Sequence, residues 1–131
     1  MSELREKIRE TIASNDVVVF MKGTPEMVMC GNSERVLNAL RTVGTGFTAV
    51  DVLPDPQIRQ ELSALSSWPT IPQVFVKGEL VGGADITEEL ARSGELEATL
   101  EAKLDRGWRE TVGHERAVEV ADRPIPFRIA R

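Results

Sequence analysis

The single cysteine of the chain, Cys30, lies in the segment "KGTPEMVMCGNSERV", which begins at Lys22. It follows a strand-like apolar segment and precedes a helical pattern, so its sulfur is expected beside the unpaired amides and positive dipole of a helix N-terminus. Lys22 adds positive charge nearby, and both effects lower the pKa of a thiol below about 8.5. The small polar residues "GNS" that follow favour a reactive thiolate over a buried structural cysteine.

Other uses of this sulfur are poorly supported by the rest of the chain. One cysteine cannot form an internal disulfide, and together with the single histidine, His114, it falls short of the four ligands of a structural zinc site. A Cys-His hydrolase would need His114 as its base. That residue lies among charged neighbours in an irregular tail, so we interpret it as a solvated surface histidine.

A second cluster with a chemical rationale is Gly82-Gly83 followed by Asp85. Two glycines let the backbone approach a ligand closely, and the amides at the start of a helix bind a carboxylate. The same pair is also ordinary at the exit of a hairpin. Just before it, the segment "WPTIP" from Trp68 cannot be helical, because each proline disfavours helical geometry in its predecessor.

Composition restricts the class of protein. The 131 residues include 41% hydrophobic residues, enough for one domain with a core. A net charge of -5 provides no basic surface for nucleic acid. No apolar run approaches the roughly 18 residues of a membrane helix, and "MSELREKIRE" lacks the features of a signal peptide. We therefore expect no nucleic-acid or membrane partner and a cytoplasmic location.

Hydrophobic periodicity predicts the element order αβαβαββα with a helical tail. Ser2 is expected to cap the first helix, Val17 to open a central buried strand, and Gly44 to follow the second helix. Asp85 or Thr87 is expected to cap the helix after the hairpin. From residue 118 to 131 a weak alternation around two prolines predicts an edge strand or an extended arm.

Three segments together, "MKGTPE", "CG-x-S" and "WPTIPQVFVKGELVGG-x-D", resemble the monothiol glutaredoxins of the CGFS class from about Ser2 to about Asp105. The resemblance implies an α/β, thioredoxin-like (glutaredoxin) fold with a central four-stranded mixed sheet flanked by helices. Residues 1–105 would form the glutaredoxin-like domain and residues 106–131 a C-terminal extension. It also implies a cis peptide bond between Ile71 and Pro72.

The resemblance further implies a glutathione-binding set, made up of Lys22, Arg59, Ile71, Gly83, Ala84 and Asp85. The two cations would hold the glycine carboxylate, the main chain of Ile71 would pair with the cysteinyl unit, and the last three would receive the γ-glutamyl end. Cys30 would be both the catalytic thiol and the metal ligand.

Ligand counting leads to the favoured function. Ser33 stands where a resolving cysteine would be, so a dithiol mechanism is excluded. A 2Fe-2S cluster needs four thiolates, which two chains and two glutathione molecules would supply. We therefore favour an iron-sulfur carrier, a homodimer through a shared cluster, that serves acceptor proteins and pairs with BolA-type proteins as the family does. The alternatives are a glutathione-dependent oxidoreductase acting by a monothiol mechanism and a redox-inactive binding module.

Three residues depart from the family pattern. Asn32 replaces the signature Phe, which would expose a cluster to water and alter its potential or lability. Val28 stands where the family commonly has Pro. Ala84 replaces a second Cys of many relatives, which removes a regulatory disulfide with Cys30.

Overall fold

The computed structural model of the chain describes residues 2–121. Its helices are α1 (Glu3–Ser14), α2 (Gly31–Val43), α3 (Pro56–Ser66), α4 (Ala84–Ser93), α5 (Glu95–Lys103) and a 3-10 helix (Arg106–Thr111). Its strands are β1 (Val17–Met21), β2 (Phe47–Asp51), β3 (Gln73–Val76), β4 (Glu79–Gly82) and β5 (Glu115–Val118). The predicted order of elements up to residue 105 is confirmed.

Helix ends follow from local chemistry. The Ser2 side chain accepts a hydrogen bond from the Arg5 amide at 3.0 Å, which confirms the predicted cap of α1. Gly44 is the C-cap of α2, and its φ of 95° lies in the left-handed region that glycine adopts without steric cost. Asp55 caps α3 by accepting from the Gln57 amide at 2.9 Å.

The strands form one mixed sheet in the order β4-β3-β1-β2-β5. Strand β1 is central and fully buried, as its apolar sequence predicts, and it runs parallel to β2 and antiparallel to β3. The prediction of four strands is wrong, because β5 adds a fifth. It pairs in parallel with β2, with Val118 opposite Val50, and so satisfies backbone groups that β2 would otherwise expose at a sheet edge.

The sheet has an apolar layer on each face. Val17, Val19 and Met21 point to the face that α2, α4 and α5 cover, and Val18 and Phe20 point to the face covered by α1 and α3. Residues beyond 105 join both layers.

Trp108, in the 3-10 helix, is 3% exposed within the first layer, and Val120, beyond β5, is 3% exposed within the second. The division of the chain at residue 105 stays a prediction. The rest of the predicted arm, residues 122–131, lies outside the described residues. Among the described helices, none has the length and apolar character needed to cross a bilayer.

Candidate functional site

The loop between β1 and α2 carries Cys30 to the N-terminus of α2. Gly23 and Val28 form an isolated antiparallel bridge, and the Met29 amide donates to the Lys22 carbonyl at 2.9 Å, so the loop folds back on itself. Cys30 occupies the N-cap position with extended backbone angles and is only partly buried. The structure therefore brings Lys22 and Cys30 together, as the sequence predicts.

The surroundings of Cys30 lower the pKa of its thiol. The largest cause is the hydrogen bond from the Ser33 backbone amide, which partial burial of the sulfur opposes. The Asn32 amide, the Ser33 hydroxyl and the charge of Lys22 lower the pKa further, in that order. The thiolate is thus stabilised mainly by the amides of a helix N-terminus, with Lys22 as a minor contributor.

Asp51, at the end of β2, fixes the start of this loop, and sequence patterns did not single it out. Its Oδ1 accepts hydrogen bonds from the amides of Gly23 and Leu53, each at 2.9 Å. Gly23 has a φ of 94°, and a Cβ there would lie 2.3 Å from the Met27 carbonyl oxygen. Only glycine fits at position 23. The sequence feature that could have pointed to Asp51 is a carboxylate at the end of a buried strand.

A groove of about 410 Å³ runs between the first turns of α2 and α4 and the loop before β3. Its lining residues are Asn32, Arg35, Trp68, Thr70, Ile71, Pro72, Gly83, Ala84, Asp85 and Ile86. Four of the predicted binding residues therefore lie on one surface. Cys30, Lys22 and Arg59 are not among the lining residues, although Cys30 lies only two residues before Asn32. Arg59 lies on α3 and donates to the Pro69 carbonyl at 3.4 Å.

The loop from Trp68 to Pro72 is held by a buried amide side chain. Gln73 is fully buried, and its Nε2 donates to the carbonyls of Trp68 at 2.9 Å and Thr70 at 3.1 Å. The Ile71–Pro72 peptide bond is cis, which confirms the prediction. A Cβ at Gly83 would lie 3.3 Å from the Pro72 carbonyl oxygen, so glycine keeps that side of the groove open.

The N-terminus of α4 forms one end of the groove. The predicted caps, Asp85 and Thr87, are wrong: α4 begins at Ala84, and Gly83 is its N-cap without a side-chain hydrogen bond. The first intrahelical hydrogen bond of α4 runs from the Thr87 amide to the Gly83 carbonyl at 3.0 Å, so the helix starts before either predicted cap and both residues lie within its first turn. Because no side chain caps the first turn, its amides remain suited to an anionic ligand.

Arg35 joins the two helix N-termini, a contact that the sequence did not indicate. Its Nη1 donates to Asn32 Oδ1 at 3.0 Å, and its Nη2 donates to Asp85 Oδ1 and to Glu88 Oε1, each at 2.8 Å. The hydrogen bond from Arg35 lowers the pKa of Glu88, and its two carboxylate partners raise the pKa of Arg35.

His114 takes no part in this site. His114 precedes β5 and lies at the end of the sheet where β1 and β2 begin. Cys30 follows the opposite end of β1. There it lines a second cavity of about 390 Å³ with Phe47 and Trp108. Within residues 2–121, no group of three or more His, Cys, Asp and Glu side chains is placed to hold a metal ion.

Comparison with known proteins identifies the family. Residues 17–81 match the glutaredoxin family model. A Synechocystis protein described as an uncharacterized monothiol glutaredoxin, ycf64-like, is 48% identical over 102 residues, which cover 78% of this chain and 95% of that protein. The chain belongs to the monothiol glutaredoxin family. It matches only 20% of the length of rice monothiol glutaredoxin-S11, which is 48% identical over 97 residues.

Solved structures place the fold of this monothiol glutaredoxin among those of its relatives. A truncated, monomeric mutant of Trypanosoma brucei 1-C-Grx1 superposes with a TM-score of 0.70 at 43% identity, covering 79% of this chain and 94% of that one. The buckwheat glutaredoxin-glutathione complex superposes with a TM-score of 0.67 at 26% identity, covering 76% and 88%. The glutaredoxin, thioredoxin-like fold is therefore confirmed.

Proposed function

We propose that this monothiol glutaredoxin binds glutathione in the groove beside Cys30 and, as a homodimer, carries a 2Fe-2S cluster that it delivers to acceptor proteins. The observation that carries the proposal is the position of Cys30. The sole thiol of the chain is partly exposed at a helix N-terminus that lowers its pKa, two residues before Asn32, which lines an open groove. A thiolate is the form in which cysteine ligates iron.

The groove has features suited to the γ-glutamyl end of glutathione. It measures about 410 Å³, and a Cβ at position 83 would lie 3.3 Å from the Pro72 carbonyl oxygen, a tight contact that glycine avoids. The uncapped amides of α4 suit the γ-glutamyl carboxylate. Lys22 and Arg59, which lie outside the groove lining, would hold the glycine carboxylate where the ligand extends beyond the groove. The main chain of Ile71 would pair with the cysteinyl unit. The glutathione named in the buckwheat glutaredoxin structure supports this assignment.

Bound glutathione would supply the thiolates that the protein lacks. One chain has one cysteine, so two chains and two glutathione molecules complete the four ligands of a 2Fe-2S cluster. Met27 and Met29, which precede Cys30, are 69% and 61% exposed. Such apolar side chains beside the thiol suit burial against a second copy. A BolA-type protein is the proposed alternative partner.

The second candidate is glutathione-dependent oxidoreduction, which the lowered pKa and the partial exposure of Cys30 favour. In this reaction the Cys30 thiolate attacks a mixed disulfide at the glutathione sulfur, and the substrate protein leaves as its thiolate, which takes up a proton. Ser33 offers no sulfur to resolve the new disulfide on Cys30, so a second glutathione thiolate has to attack it. Oxidised glutathione leaves and the Cys30 thiolate is regenerated.

Anaerobic reconstitution distinguishes these functions. The protein is incubated with iron, sulfide and glutathione, and its visible absorbance and oligomeric state are recorded. We expect a coloured dimer, and we expect Cys30→Ser to lose both properties while Asn38→Ser, an exposed control on the same helix, keeps them. A colourless monomer that reduces a glutathione mixed disulfide would favour the oxidoreductase, and inertness in both assays would leave only a binding module.

A further inference from the structure

Arg35 lies in the wall of the groove, where the first turns of α2 and α4 meet. Its guanidinium has five N–H groups, and four of them are engaged. Two reach Glu88, with Nε at 3.2 Å from Oε2 and Nη2 at 2.8 Å from Oε1. The others reach Asp85 Oδ1 at 2.8 Å and Asn32 Oδ1 at 3.0 Å. These contacts fix one positive charge beside the uncapped amides of α4.

The charges at this end of the groove decide which ligand groups it accepts. The Asp85 side chain is 92% exposed and would otherwise be a free acceptor for an ammonium group. Arg35 already occupies its Oδ1, which reduces the attraction of a second cation. Without Arg35, Asp85 would lose its cationic partner and Glu88 would keep only the weaker influence of Arg92, so the two carboxylates would repel a carboxylate ligand next to the α4 amides. Arg35 therefore makes this end of the groove bind an anionic ligand group more favourably than a cationic one.

We propose that Arg35 is a specificity-determining residue that makes this end of the groove select the α-carboxylate of a γ-glutamyl ligand over its ammonium group. The inference rests on the proposed binding of glutathione. It also gives Asn32 a role, since the Asn32 side-chain oxygen holds the guanidinium in place. Phenylalanine at position 32 has no such acceptor.

The test compares two analogues of S-methylglutathione by isothermal titration calorimetry. One carries glutaryl in place of the γ-glutamyl unit and lacks the ammonium group; the other carries 4-aminobutyryl and lacks the α-carboxylate. In the native protein we expect loss of the carboxylate to weaken binding at least about threefold more than loss of the ammonium group does. In Arg35→Gln we expect this ratio to fall by about threefold to tenfold.

Two variants serve as controls. Arg35→Lys keeps the charge and should keep most of the ratio. Arg41→Gln removes an arginine that pairs with Glu115 at the far end of α2, and it should leave the ratio unchanged.

Asn32→Phe tests the role of the Asn32 side chain. It should lower the ratio in the same direction as Arg35→Gln, but by a smaller factor.

The outcomes separate this inference from the proposed function. If Arg35→Gln weakens all three ligands by one common factor, the ratio is unchanged, Arg35 is only a structural brace, and the inference is wrong. The same holds if the ratio rises. If the native protein does not bind S-methylglutathione at all, the proposed function fails and the inference fails with it.

Discussion

The backbone amide of Lys22 donates a hydrogen bond to the hydroxyl of Ser33 at 3.1 Å, which ties the end of β1 to the first turn of α2. Ser33 is fully buried, and its backbone amide and hydroxyl both stabilise the Cys30 thiolate. The residue that replaces a resolving cysteine is therefore part of the electrostatic environment of the remaining one.

Replacing Ser33 by alanine should raise the pKa of Cys30, because the hydroxyl that stabilises the thiolate is lost. It should also lower the free energy of unfolding by about 0.5–1.5 kcal/mol, since the partly buried Lys22 amide loses its acceptor. The pH dependence of Cys30 alkylation and denaturant unfolding measure the two effects. Ser14→Ala, at an exposed helix end, is the control. An alkylation midpoint equal to that of the native protein would show that the Ser33 hydroxyl does not stabilise the Cys30 thiolate.

The lowered pKa of Cys30 also predicts how stability depends on pH. Because the unfolded chain holds the thiol proton more tightly than the folded chain does, the thiolate stabilises the fold above the unfolded pKa, and this stabilisation is lost as pH falls through the folded pKa. The unfolding free energy of the native protein minus that of Cys30→Ser should therefore increase with pH between those two pKa values. Denaturant titrations across this interval measure the difference, and a decrease with pH would contradict the account.

Lys22→Ala should weaken the binding of S-methylglutathione, because Lys22 is proposed to hold its glycine carboxylate. For a partly exposed charge pair we expect a loss of about threefold to tenfold. Titration calorimetry measures it, with Lys77→Ala as the control, since Lys77 lies in the hairpin turn and pairs with Asp16. A dissociation constant equal to that of the native protein would exclude Lys22 from the site.

Trp108→Ala should show that the residues after Asp105 belong to the cooperative fold. Trp108 is 3% exposed, packs in the same layer as Leu100, and donates from Nε1 to Glu101 at 2.9 Å. Its removal should cost about 3–5 kcal/mol of unfolding free energy. The exposed Val112→Ala should cost less than about 0.5 kcal/mol. Denaturant unfolding measures both values. Equal unfolding free energies of the two variants would mean that the residues after Asp105 do not contribute to the cooperative unfolding of the domain.

Sequence patterns predicted the parts of the fold that depend on local chemistry. The apolar run from Val17, the cap at Ser2 and the stop at Gly44 each act within a few residues of chain. Strand β5 was not predicted in its place, because its pairing with β2 depends on contacts some 68 residues apart, as between Phe47 and Glu115, and its own alternation is weak. The structure describes residues 2–121, so the predicted arm beyond them is untested.

The candidate site also has parts that the sequence predicted and parts that it did not. The environment of Cys30 follows from a strand, a loop and a helix in sequence, and its lowered pKa was predicted. Gly83 as the cap of α4 was not, since an Asp and a Thr nearby are the better cap residues by type. The contact of Arg35 with Asp85 spans 50 positions and exists only because α2 and α4 pack together. No pattern in either segment signals it.

The most direct measurement of the central claim is the native mass of the anaerobically reconstituted protein. We predict a species that contains two chains, two glutathione molecules and one 2Fe-2S cluster, and we predict its absence for Cys30→Ser. A cluster bound to one chain, a coloured dimer that contains no glutathione, or the same species formed by Cys30→Ser would contradict it.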